Sequence, residues 1–216
     1  METSRKIADK AHDLFIRYGI RSISMDDIAA DLGISKKTIY QFYPNKDSLV
    51  SALIDKAVDK HTFRCKILAA RTDDAIIELY FLLVYIREFY SILSAAIIHD
   101  LERNYESAYN KLKEHKEMFL HPAIKASIKR GVKAGVYRDD FDVELIAKFF
   151  FESLSLISDP QIFPVTLSVK NQQADELFAY LIRGIATSAG IQVINAYKNQ
   201  KSIMHLTYED GPFWDH

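Results

Sequence analysis

Apolar residues return every three or four positions along most of the chain, and no run alternates with the period of two that marks a half-buried strand. The pattern predicts an all-α fold. Ile7, Ala8, Ala11, Leu14, Phe15 and Tyr18 share one face, giving a first helix from Ser4 to Tyr18 that Gly19 ends. Ser24 reads as an N-cap, with Asp27 three residues on, for a short helix from Met25 to Leu32. Gly33 stops it, and Ser35 caps the next, Lys36 to Phe42. A long helix restarts at Asn45 and reaches Arg71. The fifth begins at Asp73; it is apolar all round between Leu79 and Ile86, which predicts burial on every side. A break is expected near His99 and Asp100, and a helix end between Gly131 and Gly135. Two further helices are expected, Val143 to Ser158 and Gln172 to Ala189, on either side of a loop with two prolines. The tail, residues 197–216, has no clear pattern.

The two short helices carry the most specific signal. A steep helix-turn-helix crossing needs a small residue where the helices pack, a turn residue that tolerates positive φ, and an aliphatic anchor on the second helix. Ala29, Gly33 and Ile39 supply them, at positions 5, 9 and 15 of a twenty-residue unit starting at Met25. With Ile39 and Phe42 turned inward, helical geometry points Lys37, Tyr40 and Gln41 outward, with Lys36 and Thr38 at the helix start. In this motif the N-terminal part of the second helix meets base edges in the major groove of DNA. Lysine can donate to guanine and glutamine suits adenine. Tyr40, Tyr43 and Lys46 can bond phosphates, which sets register without reading sequence. The helix N-termini after Ser24 and Ser35 also offer amides to phosphates.

Composition narrows this picture. Lys and Arg number 28 against 29 Asp and Glu, so contact with a polyanion must be local, through one basic face. Hydrophobic residues make up 49%, enough for a packed core. The single cysteine, Cys65, cannot close an internal disulfide, which fits a reducing compartment. The N-terminus lacks the apolar core of a signal peptide, and the stretch at 79–86 is far shorter than a membrane span. A soluble, cytoplasmic protein with no membrane association is expected.

Residues 7 to 49 resemble the DNA-binding domain of the TetR family of bacterial transcriptional regulators. The matching residues are Ala11, Leu14-Phe15, Gly19, Ser24, Ile28-Ala29, Leu32-Gly33-Ile34-Ser35, Thr38-Ile39-Tyr40, Asn45-Lys46-Asp47 and Leu49. The stretch Gly135 to Ala147 resembles the turn before the eighth helix in many members. One departure stands out: the family has His or Tyr, then Phe, where this chain has Phe42, then Tyr43. Tyr43 then either takes over a phosphate contact or is partly buried. The resemblance implies a three-helix DNA-binding domain at 1–46 and a larger helical ligand-binding and dimerisation domain at 47–216. It also implies a homodimer on a palindromic double-stranded operator, most often repressing, and released by a small hydrophobic or aromatic effector. The family's cavity would draw on Tyr80, Phe81, Tyr85, Phe89, Tyr105, Tyr109 and Phe150. Such residues at helical spacing equally make a plain core.

The apolar pattern speaks to assembly on its own. In Val143 to Ser158 only Glu144, Lys148 and Glu152 are charged, a narrow stripe, and apolar residues wrap most of the rest. Part of that surface suits a two-fold partner; a central core helix of a monomer would read the same. Leu145, Phe149 and Leu156, with Leu177, Leu181, Gly184, Ile185 and Ser188 on the last helix, are the interface residues expected for a four-helix bundle.

Two other classes compete. No nucleophile-base constellation or cofactor cradle is evident, so no catalytic residues and no cofactor are expected. His61 and Cys65 stand at i and i+4 and could be two zinc ligands of a metal sensor, but two ligands do not close a site and no metal is expected. A helical interaction module that ignores DNA would show no salt-dependent DNA affinity, whereas phosphate-contacting lysines must produce it.

Overall fold

A computed structural model describes residues 2–93, 95–158 and 167–199. Eleven helices follow one another among these residues: α1 Glu2–Tyr18, α2 Met25–Leu32, α3 Lys36–Phe42, α4 Lys46–Arg71, α5 Ala75–Ile92, α6 Ala95–Asn104, α7 Glu106–His115, α8 His121–Lys133, α9 Val143–Ser158, α10 Leu167–Ile185 and α11 Ser188–Asn199. A π-helical turn, Lys116–Leu120, joins α7 to α8. The fold is all-α, and the only β-type pairing among the described residues is an isolated bridge between Tyr137 and Ala186. No single helix among them is long and apolar enough to cross a membrane.

Two compact units emerge: Met1–His61 with Tyr90–Lys116, and Thr62–Phe89 with Glu117–His216. The first takes in residues 47–61 and 90–116 beside the N-terminal 46. Its core is Ile7, Ala11 and Phe15 of α1, Met25, Ile28 and Ala29 of α2, Ile39 of α3, and Leu49, Val50 and Leu53 of α4. Ile97 and Leu101 of α6, Ala108 and Leu112 of α7, and Tyr105 between the two helices are buried as well. Tyr18 does not join the face expected of it; as the last residue of α1 it is 59% exposed. Buried His61 and His115 meet ring to ring, Nδ1 to Nε2 at 2.9 Å.

The second unit is built on α5, buried at Leu79, Phe81, Leu82, Leu83, Val84, Tyr85 and Ile86, as an all-round apolar helix requires. α8 contributes Ile124 and Ile128, α9 Ala147, Phe150, Phe151 and Leu154, and α10 Phe178 and Ile182. Glu78 is buried here, and Arg130 grips its carboxylate through Nε at 2.9 Å and through a second guanidinium nitrogen. The Tyr137 hydroxyl donates to the Ala75 carbonyl at 3.0 Å. Its ring lies against Gly131, where an added Cβ would come within 2.0 Å of it. Cys65 is buried, and burial pushes its thiol up to about 12.

Two helix boundaries differ from those read in the chain. α6 runs through His99 and Asp100; its interruptions fall before Ala95 and at Tyr105. Asp100 is a polar residue of an amphipathic helix, accepting from the Arg21 amide at 3.3 Å while Ile97 and Leu101 are buried. The last expected helix is two. α10 ends at Ile185 because Ala186 pairs with Tyr137, while Thr187 donates its N–H to the Val136 carbonyl at 3.0 Å and its hydroxyl to the Gly135 carbonyl at 2.8 Å. α11 extends to Asn199, into the segment without a clear pattern; residues 200–216 lie outside the described residues.

Candidate DNA-binding site

The start of α2 is set by a capping box. Ser24 Oγ accepts from the Asp27 amide at 3.1 Å, and the Asp27 carboxylate accepts from the Ser24 amide at 2.8 Å. The Ser24 hydroxyl also donates to that carboxylate at 2.7 Å, so both donors of Ser24 are taken within the motif. These bonds hold the Asp27 carboxyl below its ordinary range. Gly33 ends α2 in the left-handed region, φ 65°, and its amide and that of Ile34 close onto Ala30 and Ala29. α3 then starts at Ser35, whose Oγ accepts from the Thr38 amide at 3.1 Å and bonds the Thr38 hydroxyl at 2.8 Å.

Ile39 is fully buried and fixes the rotation of α3. Lys36, Lys37, Tyr40 and Gln41 are consequently exposed, with Thr38 half-buried. Lys37 and Gln41 have no side-chain partner among the described residues. Lys36 pairs with Asp26 of α2, which raises its pKa above the ordinary value. Phe42 was expected to face inward, but it is 39% exposed. Ile39 is the one buried residue of α3, and Phe42, three residues on, falls on the rim.

Two expected phosphate contacts sit elsewhere. Tyr43 is half-buried, its hydroxyl 3.0 Å from Ser4 Oγ on α1. Lys46 extends its ammonium to the Ile20 carbonyl, 5.7 Å from the Phe15 ring centre, and burial lowers its pKa. Both side chains tie the α1–α2 turn and α1 to the segment after α3. Nothing in the periodicity distinguishes Lys46 from Lys37; only the three-dimensional position of the Ile20 carbonyl does.

The expected effector residues divide between the units. Phe81, Tyr85, Phe89 and Phe150 are buried in the second, with Tyr80 half-buried. Tyr80 meets the Phe81 ring edge-on at 5.2 Å, and the Arg64 guanidinium lies 3.7 Å over the Tyr85 ring. Burial, then the Asp175 carboxylate, pushes the Tyr80 phenol up. In the first unit Tyr105 is buried and Tyr109 donates to Glu102 at 3.2 Å. A cleft of about 370 Å³ in the second unit is lined by Val132, Gly135, Tyr137, Arg138, Asp139, Asp140 and Thr187, and by none of these seven aromatics.

Of the expected interface residues, Leu145 is 64% and Phe149 54% exposed on α9. On α10, Leu177 and Leu181 are half-buried and Gly184 is exposed with open space above it; Ser188, at the start of α11, is exposed. Tyr180, which pattern reading did not single out, is 73% exposed on α10. Ile185 is a correction: it is buried in its own unit, and its carbonyl accepts from the Arg138 amide at 2.8 Å. The side chain of Leu156 lies outside the described residues. Among those residues no three His, Cys, Asp or Glu side chains are grouped to hold a metal ion.

An all-α chain with a helix-turn-helix whose second helix shows a polar, partly cationic face is a DNA-binding protein in class. Residues 7–53 match the bacterial regulatory proteins of the tetR family. The HTH-type transcriptional regulator YdeS of Bacillus subtilis is 22% identical over 90% of this chain and 92% of its own length. An HTH-type transcriptional regulator of Staphylococcus aureus is 36% identical over 58 residues, 27% of this chain and 31% of that protein. Among solved structures, a transcriptional regulator from Saccharomonospora viridis in complex with choline superposes with TM-score 0.76 at 19% identity, over 86% of this chain and 98% of that one. The ketosteroid transcriptional regulator KstR2 of Mycobacterium tuberculosis gives 0.66 at 17%, over 86% and 96%. Residues 7–53 are thus a DNA-binding domain of the tetR-family type, and the chain as a whole shares the fold of solved regulators of that family.

Proposed function

We propose that the chain acts in the bacterial cytoplasm as a homodimeric repressor, binding a two-fold symmetric operator and leaving it when a small hydrophobic or aromatic molecule binds. α3 enters the major groove, where Lys37 and Gln41 read base edges while Thr38 and Tyr40 bond phosphates. The observation that carries this reading is the exposed, unpartnered pair Lys37 and Gln41 on a helix locked by buried Ile39. Pairing of two copies is supported by Leu145, Phe149 and Tyr180, large apolar side chains left in solvent on helices that pack together. A symmetric dimer suits half-sites about one helical turn, ~34–36 Å, apart. The buried aromatic cluster around Phe81 and Tyr85 supports an apolar effector class, and the choline complex of a fold neighbour shows that protein holding a small molecule.

Genomic footprint mapping in the host tests the reading and recovers the operator. Discrete palindromic sites are expected, lost when Lys37 and Gln41 are replaced by Ala. Uniform or absent occupancy would overturn it.

A further inference from the structure

The helix-turn-helix presents three lysines in sequence, yet among the described residues two of them, Lys36 and Lys46, are engaged and Lys37 shows no side-chain partner. Lys46 spends its ammonium on the Ile20 carbonyl. Lys36 spends its own on the Asp26 carboxylate, although both side chains stand in solvent, 67% and 48% exposed. The start of α2 is acidic as well, because Asp27 absorbs the two donors of Ser24. A phosphate approaching this edge meets two carboxylates at a helix N-terminus that would otherwise attract an anion.

We propose that Asp26 is a specificity-determining residue: an internal stand-in for a phosphate that holds Lys36 and yields it only to a backbone already in register. The proposal rests on the DNA-binding reading above. The physical argument concerns which term of DNA affinity Asp26 touches. Sequence-independent binding comes almost wholly from cations that displace counterions from phosphates. A lysine already neutralised by a carboxylate displaces none until it lets go. An exposed pair holds weakly, so a phosphate fixed by base contacts elsewhere on α3 can take the lysine over. A phosphate sampled in passing has no such help, and the carboxylate repels it. Asp26 therefore lowers affinity for random duplex more than for a matched site, and raises discrimination without touching a base.

The test needs no knowledge of the operator. Binding to a mixed-sequence duplex of about 30 base pairs, long enough for two half-sites, is measured between about 50 and 200 mM salt for wild type, Asp26→Asn, Lys36→Ala and the double variant. For each protomer on the duplex Asp26→Asn is expected to add about 3-fold to 10-fold in affinity at the low end, so about 10-fold to 100-fold for the dimer. That gain should shrink about 3.5-fold across the range for each added phosphate contact, about 12-fold for the two that a dimer adds. In the Lys36→Ala background Asp26→Asn should add neither affinity nor slope. An equal gain in both backgrounds would make Asp26 a mere long-range charge and overturn the proposal, as would no gain in either. Wild type without salt-dependent affinity would instead sink the DNA reading itself. Unchanged thermal midpoints, expected for an exposed pair, exclude a folding effect.

Discussion

Lys37 and Lys46 stand nine positions apart with the same charge, and they should fail differently. Replacing Lys37 or Gln41 by Ala should weaken specific operator binding by about 1–3 kcal/mol and relax the sequence preference, read by titration against matched and mismatched sites. Lys46→Ala removes the ammonium from the Ile20 carbonyl and should lower the urea midpoint by about 1 kcal/mol of stability. A Lys46 variant of unchanged stability would mean that its bond to the turn contributes nothing. The exposed face of α3 could be read from the chain because 3.6-residue geometry fixes which positions oppose Ile39. The engagement of Lys46, Tyr43 and Lys36 could not, because each partner lies on another element: Ile20, Ser4 and Asp26. Histidine chemistry belongs to this scale too. Burial holds His115 down to about 4, against an ordinary 6.5. The unfolded chain therefore binds its proton first, so the stability that His115 contributes is complete above about pH 6.5. It is lost as pH falls toward 4, by at most about 1.4 kcal/mol per pH unit. Urea midpoints against pH check this, and His115→Gln should flatten the profile.

Elements were readable where their ends are chemical. Ser24, Gly33 and Ser35 are local signals, and α2 and α3 start and stop where those residues place them. Boundaries made by tertiary bonds were not. The break between α10 and α11 exists because Ala186 and Thr187 turn their backbone to the Gly135–Tyr137 stretch, 49 positions earlier in the chain when Ala186 is set against Tyr137. The same stretch makes Gly131 informative. Alanine usually favours a helix interior over glycine by about 1 kcal/mol. Here its methyl would enter the Tyr137 ring, so Gly131→Ala should destabilise by about 1–3 kcal/mol, measured as a fall in thermal midpoint. A midpoint at or above wild type would show that Tyr137 can swing away without loss.

At the scale of the whole molecule the question is what covers α9 and α10. The narrow charged stripe of α9 announced too many apolar positions for one buried face, and the helix does carry two apolar sets. Ala147, Phe150, Phe151 and Leu154 are buried, while Leu145 and Phe149 are exposed. Ile185 belongs with the first set, a distinction that helical spacing alone does not draw. On the proposed homodimer, Phe149→Asp should leave the fold intact and yield a monomer in sedimentation at micromolar concentration, with operator binding lost alongside. A dimer that survives this change would put the two-fold contact elsewhere.

The lone sulfhydryl has a practical corollary. Alkylation proceeds through the thiolate, and Cys65, sealed from solvent with its deprotonation displaced far into the alkaline range, offers almost none at neutral pH. The native chain, with Cys65 its single cysteine, should accordingly label only slowly with maleimides. A fluorophore attached through one introduced cysteine on α3 or α9 would report from that position alone, with the wild-type chain as an unlabelled control.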